Sequence, residues 1–117
     1  MATKKEISMT GFDIVAYAGD AETDLLDALS AARKGDYAKA RELVKSAEDS
    51  INLAHNTQTK LLSEEAGGEE LDVTFIMVHA QDTLMTTMML KNEAQFFIDE
   101  YERIGRIESQ LGIQASK

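Results

Sequence analysis

The 117-residue sequence contains no cysteine and no proline. Without cysteine, disulfide bonds, thiolate metal ligands and thiol catalysis are excluded, which is compatible with a reducing compartment. No apolar run is long enough to span a bilayer, and the first residues lack the apolar segment of a signal peptide. We therefore expect a cytoplasmic protein.

Basic residues are scarce, with 12 Lys and Arg against 21 Asp and Glu and a net charge of -9. Because a nucleic-acid backbone is bound by facing Lys and Arg, nucleic acid is not an expected partner. This charge suits a basic protein partner, although the need for solubility explains it equally well. A phosphate-binding loop of the GxxxxGK[ST] type is also missing, so the sequence predicts no nucleotide site.

Glycines divide the chain into three predicted helices. Gly35 followed by Asp36 is typical of one helix ending and the next being capped, and Gly67 with Gly68 indicates a second break. The helices are predicted over residues 6–34, 36–65 and 72–110. Their lengths and short connections predict a single all-α domain, residues 1–117, folded as an antiparallel three-helix bundle.

Apolar and small residues recur every three or four positions in the first two helices, as the seams of a bundle do. The first seam comprises Ile14, Ala18, Ala21, Leu25, Ala28 and Ala32. The second comprises Tyr37, Ala40, Val44, Ala47, Ile51, Ala54, Gln58 and Leu61. These seams are predicted to form the core, and their small side chains allow the helices to approach closely.

The third helix is apolar nearly all round from Val73 to Leu90, where it carries no Lys, Arg or Glu. One predicted seam comprises Val73, Ile76, Ala80, Thr83, Thr87, Leu90, Ala94, Phe97, Tyr101 and Ile104. A second stripe comprises Phe75, His79, Asp82, Thr86 and Met89. A helix of this kind is buried on every side, whereas a three-helix bundle covers only part of it. We therefore expect a homo-oligomer whose interface is built largely from this helix.

Three strongly polar side chains, His79, Gln81 and Asp82, interrupt the apolar stretch between Asp72 and Lys91. His79 and Asp82 are three residues apart and so lie on the same face. A neutral imidazole has a nucleophilic nitrogen and suits covalent acceptance of a phosphoryl group. Two other interpretations stay open: a buried histidine hydrogen-bonded to Asp82, and a metal site completed by other helices or subunits.

The segment VHAQDTLMTT is similar to the sequence around the phosphorylated histidine of lactose- and cellobiose/chitobiose-type IIA components of the sugar phosphotransferase system. The likeness continues through the blocks GFDIVAYAGDA, LSAARKGDYAKA and AHNTQTKLLSEEAG, in the same order. The resemblance implies a homotrimer of three-helix bundles. It also implies that the active histidine accepts phosphate from the carrier HPr and donates it to the cysteine of a IIB partner, while a membrane IIC component supplies the sugar.

Carried over residue by residue, the resemblance makes His79 the phosphoryl acceptor, as a candidate tele-phosphohistidine. Asp82 matches an aspartate that lies near the threefold axis and binds a divalent cation with its two symmetry mates. We expect one structural Mg²⁺ per trimer, since a hard cation with oxygen ligands relieves the repulsion between three carboxylates. Gln81 matches the family glutamine and is expected to be a polar support near the site.

The sequence departs from the family pattern at Thr83, where a second histidine commonly follows the active one by four residues. An auxiliary role for that imidazole is absent or is filled by another group. His55 fits a surface histidine, but it also matches the family pattern AHxxQT, which would place it near a neighbouring subunit's active site. Gln58 interrupts an apolar seam and is predicted to form a structural hydrogen bond across helices.

The leading hypothesis is a phosphoryl-transfer subunit without a sugar pocket of its own. The alternative is a non-catalytic helical oligomer that acts as a metal-binding or regulatory interaction module, in which His79 and Asp82 only bind metal or fix the register. A divalent-metal hydrolase is disfavoured because candidate ligands are few. Lactose, cellobiose and chitobiose all remain open as the transported sugar.

Overall fold

A computed structural model describes residues 2–114 and contains three helices. They are α1, Lys4–Arg33, α2, Tyr37–Ala66, and α3, Phe75–Leu111. The predicted all-α fold is confirmed, and none of the described residues forms a strand. None of the helices within residues 2–114 is both long and apolar enough to cross a membrane.

The turn between α1 and α2 forms at Gly35 and Asp36, as the sequence predicted. Gly35 has a φ of 91°, a left-handed conformation that costs glycine little. The amide of Asp36 then donates to the carbonyl of Ala31 at 2.9 Å, which satisfies a carbonyl at the end of α1. The Asp36 side chain in turn accepts a hydrogen bond from the Lys39 amide at 3.1 Å and so caps α2.

Helix α1 is the centre of the bundle. It packs along its length against both other helices, whereas α2 and α3 contact each other less extensively. The molecule is therefore a rod of 63 × 22 × 18 Å. Every predicted seam residue of α1 is buried, and the α2 seam is buried except at its half-buried ends, Tyr37 and Leu61.

The predicted seam of α3 is partly wrong. Val73 precedes the helix and is 80% exposed, while Phe97 and Ile104 are about half exposed. The buried residues of α3 are instead Ala80, Leu84, Thr87, Ala94 and Ile98. Because this helix carries apolar residues on several faces, its sequence pattern does not identify the one face that packs on α1 and α2.

The opposite side of α3 is open in the single chain. We call this surface the exposed stripe, and its first part comprises Phe75, Val78, His79, Asp82, Met85, Thr86 and Met89. Phe75 is 90% exposed and Met89 59% exposed. The expectation that one subunit would leave apolar surface uncovered along this helix is met.

Candidate functional site

His79 lies in the second turn of α3, close to where that helix begins. Thr74 ends the preceding loop and is buried, and its hydroxyl accepts a hydrogen bond from the Met77 amide at 3.2 Å. The Val78 amide donates to the Thr74 carbonyl at 3.1 Å. This capping starts α3 at Phe75, slightly later than the predicted residue 72, and places the His79 side chain on a regular helix.

Helix α1 supports this part of α3 through a glycine. Gly11 is buried, and a Cβ atom there would lie 3.4 Å from the carbonyl carbon and oxygen of Ile76 and from the Cα of Met77. Because hydrogen replaces a side chain at Gly11, the two backbones approach closely. The turn that precedes His79 is therefore held by main-chain packing as well as by its cap.

A pair of amide side chains joins α2 to α3 beside His79. Nε2 of the buried Gln58 donates to Oε1 of Gln81, and Nε2 of Gln81 contacts the sulfur of Met77 at 3.8 Å. This confirms the predicted cross-helix hydrogen bond of Gln58. Gln81 is turned towards α2, and its hydrogen bonds hold the helix that carries His79 rather than the imidazole itself.

The hydroxyl of Thr83, where the family commonly has a second histidine, is engaged by the main chain. It donates to the carbonyl oxygen of His79 at 2.8 Å. The hydroxyl of Thr86 likewise contacts the carbonyl oxygens of Asp82 at 2.9 Å and Thr83 at 3.1 Å. These bonds lie along the helix backbone and leave the side chains of His79 and Asp82 free to face outward.

The interpretation of His79 as a buried histidine satisfied by Asp82 is wrong for the single chain. Both residues are exposed, and no hydrogen bond joins their side chains in the part of the chain that the structure describes. They share the face of α3 that neither α1 nor α2 covers. An exposed imidazole is accessible to a second protein.

The structure places the other predicted site residues as follows. His55 is exposed on α2, one turn before Gln58. Across residues 2–114 of one chain, no three His, Asp or Glu side chains come close enough together to hold a metal ion. A cation at Asp82 would therefore need ligands from other copies.

Sequence analysis missed an apolar groove of about 210 Å³ that adjoins Val78, the residue before His79. It lies between the start of α1, the end of α2 and the start of α3, and Glu65 and Asp72 are the acidic residues of its lining. Its lining comprises Ile7, Gln58, Leu61, Leu62, Glu65, Leu71, Asp72, Val73, Met77, Val78 and Gln81. The adjacent leucines Leu61 and Leu62 could have indicated this groove. Neighbouring residues of a helix point in different directions, so the bundle core cannot cover both side chains, and one of them is left to line a surface groove.

Comparison with known proteins identifies the family. Residues 9–102 match the family described as "PTS system, Lactose/Cellobiose specific IIA subunit". The chain belongs to this family. It is 61% identical over 110 residues to the lactose-specific EIIA component of Lacticaseibacillus casei, covering 94% of this chain and 98% of that protein. The lactose-specific EIIA component of Streptococcus mutans is 47% identical over 100 residues, covering 86% and 96% respectively.

Solved structures agree with this assignment. The cellobiose-specific enzyme IIA of Bacillus anthracis superposes with a TM-score of 0.82 at 35% identity, over 91% of this chain and 94% of that one. A IIA(chitobiose) chain from a complex with HPr of the Escherichia coli phosphotransferase system gives 0.71 at 30% identity, over 89% and 98%. The resemblance found from the sequence is confirmed, and the chain is a IIA-type phosphotransferase subunit of a sugar transport system.

Proposed function

We propose that His79 accepts a phosphoryl group from phosphorylated HPr and passes it to the cysteine of a IIB partner, for uptake and phosphorylation of a lactose/cellobiose-type disaccharide. The observation that carries the proposal is the exposed imidazole of His79 on a rigid helix, inside the segment matched by the family. An imidazole nitrogen is a nucleophile that forms a covalent phosphoryl intermediate.

The proposed transfer is a pair of phosphoryl exchanges. A ring nitrogen of His79 attacks phosphorus while the bond between phosphorus and the carrier's histidine nitrogen breaks. The IIB thiolate then attacks the same phosphorus, and the bond to His79 breaks. The phosphoryl group moves between proteins without being released to water, so the partners have to close over His79 in each step.

The surface around His79 supports docking of proteins rather than binding of a small substrate. Val78 and Phe75 are exposed next to it, and the groove beyond Val78 is lined mainly by apolar side chains. The net charge of -9 suits a basic partner. The relative from Escherichia coli was solved in a complex with HPr, which supports HPr as the donor for this chain as well.

We assign supporting roles to three further residues. The hydrogen bond between Gln58 and Gln81 joins α2 to α3 close to His79 and so fixes the position of the helix that carries the imidazole. We propose that His55, which is exposed on α2, acts near the active site of a neighbouring subunit of a homotrimer. The role of His55 rests on the trimeric arrangement that the family resemblance implies, whereas that of Gln58 and Gln81 rests on their hydrogen bond within one chain.

Asp82 is proposed as the ligand of one Mg²⁺ shared by three copies. It lies on the exposed stripe midway between Phe75 and Met89, seven residues from each, and is itself exposed. One carboxylate does not hold the ion, but three from symmetry-related helices supply the oxygen donors that a hard cation prefers. The ion would balance charge within an apolar interface and has no part in the transfer itself.

The test is intact mass measurement after incubation with phosphoenolpyruvate, enzyme I and HPr. The wild type is expected to gain one acid-labile phosphoryl group. His79→Ala is expected to gain none while keeping its helical circular dichroism, and His55→Ala is expected to be labelled to the same final extent as the wild type. Phosphorylation of the His79→Ala variant would contradict the assignment of His79 as the phosphoryl acceptor. No labelling of the wild type, beside a labelled control IIA protein, would favour a non-catalytic binding or regulatory module.

A further inference from the structure

The side of α1 that faces away from the bundle carries a row of residues at alternating spacings of three and four. We call this row the outer seam, and it comprises Met9, Phe12, Ala16, Gly19, Thr23, Leu26 and Ser30. Each member is two residues from a buried residue of α1, and therefore about 200° from it around the helix. The outer seam thus points away from α2 and α3, and it is about 32 Å long.

The outer seam is open in the single chain, with large apolar side chains towards its ends and small residues in its middle. Met9, Phe12 and Leu26 are between 51% and 57% exposed. Ala16 is exposed and Gly19 is half-buried. Residues that recur in this way occupy the a and d positions of a heptad repeat, which one helix presents to another. The shape of this surface therefore fits a second helix.

Packing within the chain gives no reason for a glycine at position 19. At Gly11 an added Cβ atom would lie 3.4 Å from the backbone of Ile76, whereas at Gly19 it would meet nothing within 4 Å. Glycine inside a helix is less stable than alanine because it loses more backbone freedom on folding. A helix packed on the outer seam explains the glycine, since the missing side chain lets the two backbones approach closely.

A row of aspartates flanks the outer seam. Asp13, Asp20 and Asp27 each follow a d position and so occupy three successive e positions of the repeat. All three are exposed, and no ion pair within residues 2–114 involves them. Between Lys5 and Arg33 the sequence has no Lys or Arg. Because charges at e and g positions set the choice of partner, this flank selects a helix that presents Lys or Arg.

A second copy of the chain does not supply such a helix. Nowhere in the sequence do three Lys or Arg residues follow one another at spacings of seven. Two outer seams packed antiparallel would bring their aspartate rows together, because e positions then face each other. Packed in parallel, they would place Asp27 of one copy against Glu22 of the other. The charges therefore favour a different protein as the occupant.

From these observations we infer that the outer seam of α1 is a docking surface for a basic amphipathic helix of another protein. The seam starts near the level of His79, because Gly11 of α1 packs on Ile76 of α3. It then runs along the rod on a different helix from the one that carries the imidazole. The inference thus adds a second interaction surface to the proposed phosphoryl-transfer site.

The first experiment measures the binding of a synthetic helical peptide by fluorescence anisotropy. The probe has Leu and Ala at its a and d positions and Lys at its e and g positions, and the matched control peptide has Glu in place of Lys. The wild type is expected to bind the Lys peptide at least about tenfold more tightly than the Glu peptide, with an affinity that falls as salt is added. Equal affinity for the two peptides would overturn the inference.

The aspartate row is tested by the triple variant Asp13→Asn/Asp20→Asn/Asp27→Asn. Its dissociation constant for the Lys peptide is expected to rise by about tenfold, because the facing charges are lost. The matched control removes three exposed carboxylates from α2, in the variant Glu42→Gln/Asp49→Asn/Glu65→Gln. This control is expected to change the constant by less than about threefold. Equal losses in the two triple variants would show attraction to the acidic protein as a whole and would contradict docking on α1.

The middle of the outer seam is tested by Gly19→Leu, which places a large side chain where the two helices are inferred to approach closely. The fold is expected to be kept, as circular dichroism checks, because an added Cβ atom meets nothing within 4 Å. The dissociation constant for the Lys peptide is expected to rise by about tenfold or more. Asn56→Leu adds a leucine to an exposed position of α2 and is expected to bind like the wild type. Wild-type affinity of Gly19→Leu would rule out helix packing on the seam.

Two further measurements distinguish this surface from other interfaces. Sedimentation equilibrium of Gly19→Leu is expected to match the wild type, and weaker self-association would overturn the inference by making a second copy the occupant. Phosphorylation of His79 by HPr is expected to reach the wild-type extent in the same variant, and its loss would overturn the inference by making the seam part of the HPr interface. Failure of the proposed function is seen separately, because it removes labelling from the wild type as well.

Discussion

Gln58 and Gln81 form a side-chain hydrogen bond between α2 and α3 two residues from His79. Gln58 is 8% exposed, so its amide depends on this partner. Gln81→Leu is expected to lower the free energy of unfolding by about 1–3 kcal/mol, because the Gln58 amide stays buried without its acceptor. In Gln58→Leu/Gln81→Leu much of that loss is expected to be recovered by apolar packing.

Urea unfolding of the two single variants and the double variant measures this coupling. Additive effects of the two substitutions would show that the amide pair contributes little.

The cross-helix bond of Gln58 was predictable because a glutamine interrupts an apolar seam. The choice of Gln81 as its partner was not, since it depends on the rotation of α3 within the bundle.

Thr87 is a buried residue of α3 whose substitution is expected to stabilise the fold. It is 2% exposed, and its hydroxyl has no hydrogen-bond partner among the described residues. Thr87→Val keeps the shape and removes the uncompensated hydroxyl, so it is expected to raise the free energy of unfolding by about 1 kcal/mol. The control is Thr57→Val on α2, whose hydroxyl donates to the Leu53 carbonyl at 2.9 Å, and it is expected to give no such gain. A destabilised Thr87→Val protein would contradict this account.

At the scale of the helices, the contact between the start of α2 and the end of α3 depends on a glycine inside a helix. A methyl group at Gly105 would overlap the Tyr37 hydroxyl. In an exposed helix Gly→Ala stabilises by about 1 kcal/mol, but here Gly105→Ala is expected to destabilise because Tyr37 has to move. The loss is expected to be smaller in a Tyr37→Phe background, which lacks the hydroxyl.

Thermal unfolding of the four proteins in this cycle measures the effect. Gly19→Ala in α1 is the control, since a methyl group there would meet nothing within 4 Å. It is expected to keep or raise the melting temperature. A stabilised Gly105→Ala protein would show that the ring of Tyr37 adjusts freely.

The helices differ in how far their packing could be predicted. The turn between α1 and α2 was predictable because Gly35 and Asp36 act on the backbone next to them. The buried face of α1 was predictable because its small and apolar residues recur along one face only. In α3 the apolar residues surround the helix, so Leu84 and Ile98 were not distinguished from Thr83 and Phe97 as core residues. The excess of apolar residues nevertheless predicted the uncovered surface correctly.

At the scale of the whole molecule, the exposed stripe and the proposed shared ion make association testable. Sedimentation equilibrium is expected to give three times the 12.9 kDa mass of the chain. A chelator is expected to weaken the wild-type assembly, because the three Asp82 carboxylates then repel one another. Asp82→Leu is expected to associate more tightly and to be insensitive to the chelator.

The control for charge is Asp13→Leu, which removes an exposed carboxylate from α1. This variant is expected to stay sensitive to the chelator. A compact monomer of the wild type at all concentrations would contradict the assembly. Equal chelator sensitivity of Asp82→Leu and the wild type would instead contradict only the shared ion.

The central claim is that His79 holds a phosphoryl group that a partner protein takes. The most direct measurement isolates the phosphorylated chain, mixes it with IIB and follows the intact masses of both proteins over time. The account predicts that the added mass leaves this chain and appears on IIB, but not on a IIB variant whose cysteine is replaced by serine. Retention of the phosphoryl group on this chain, or its loss only as inorganic phosphate, would contradict the account.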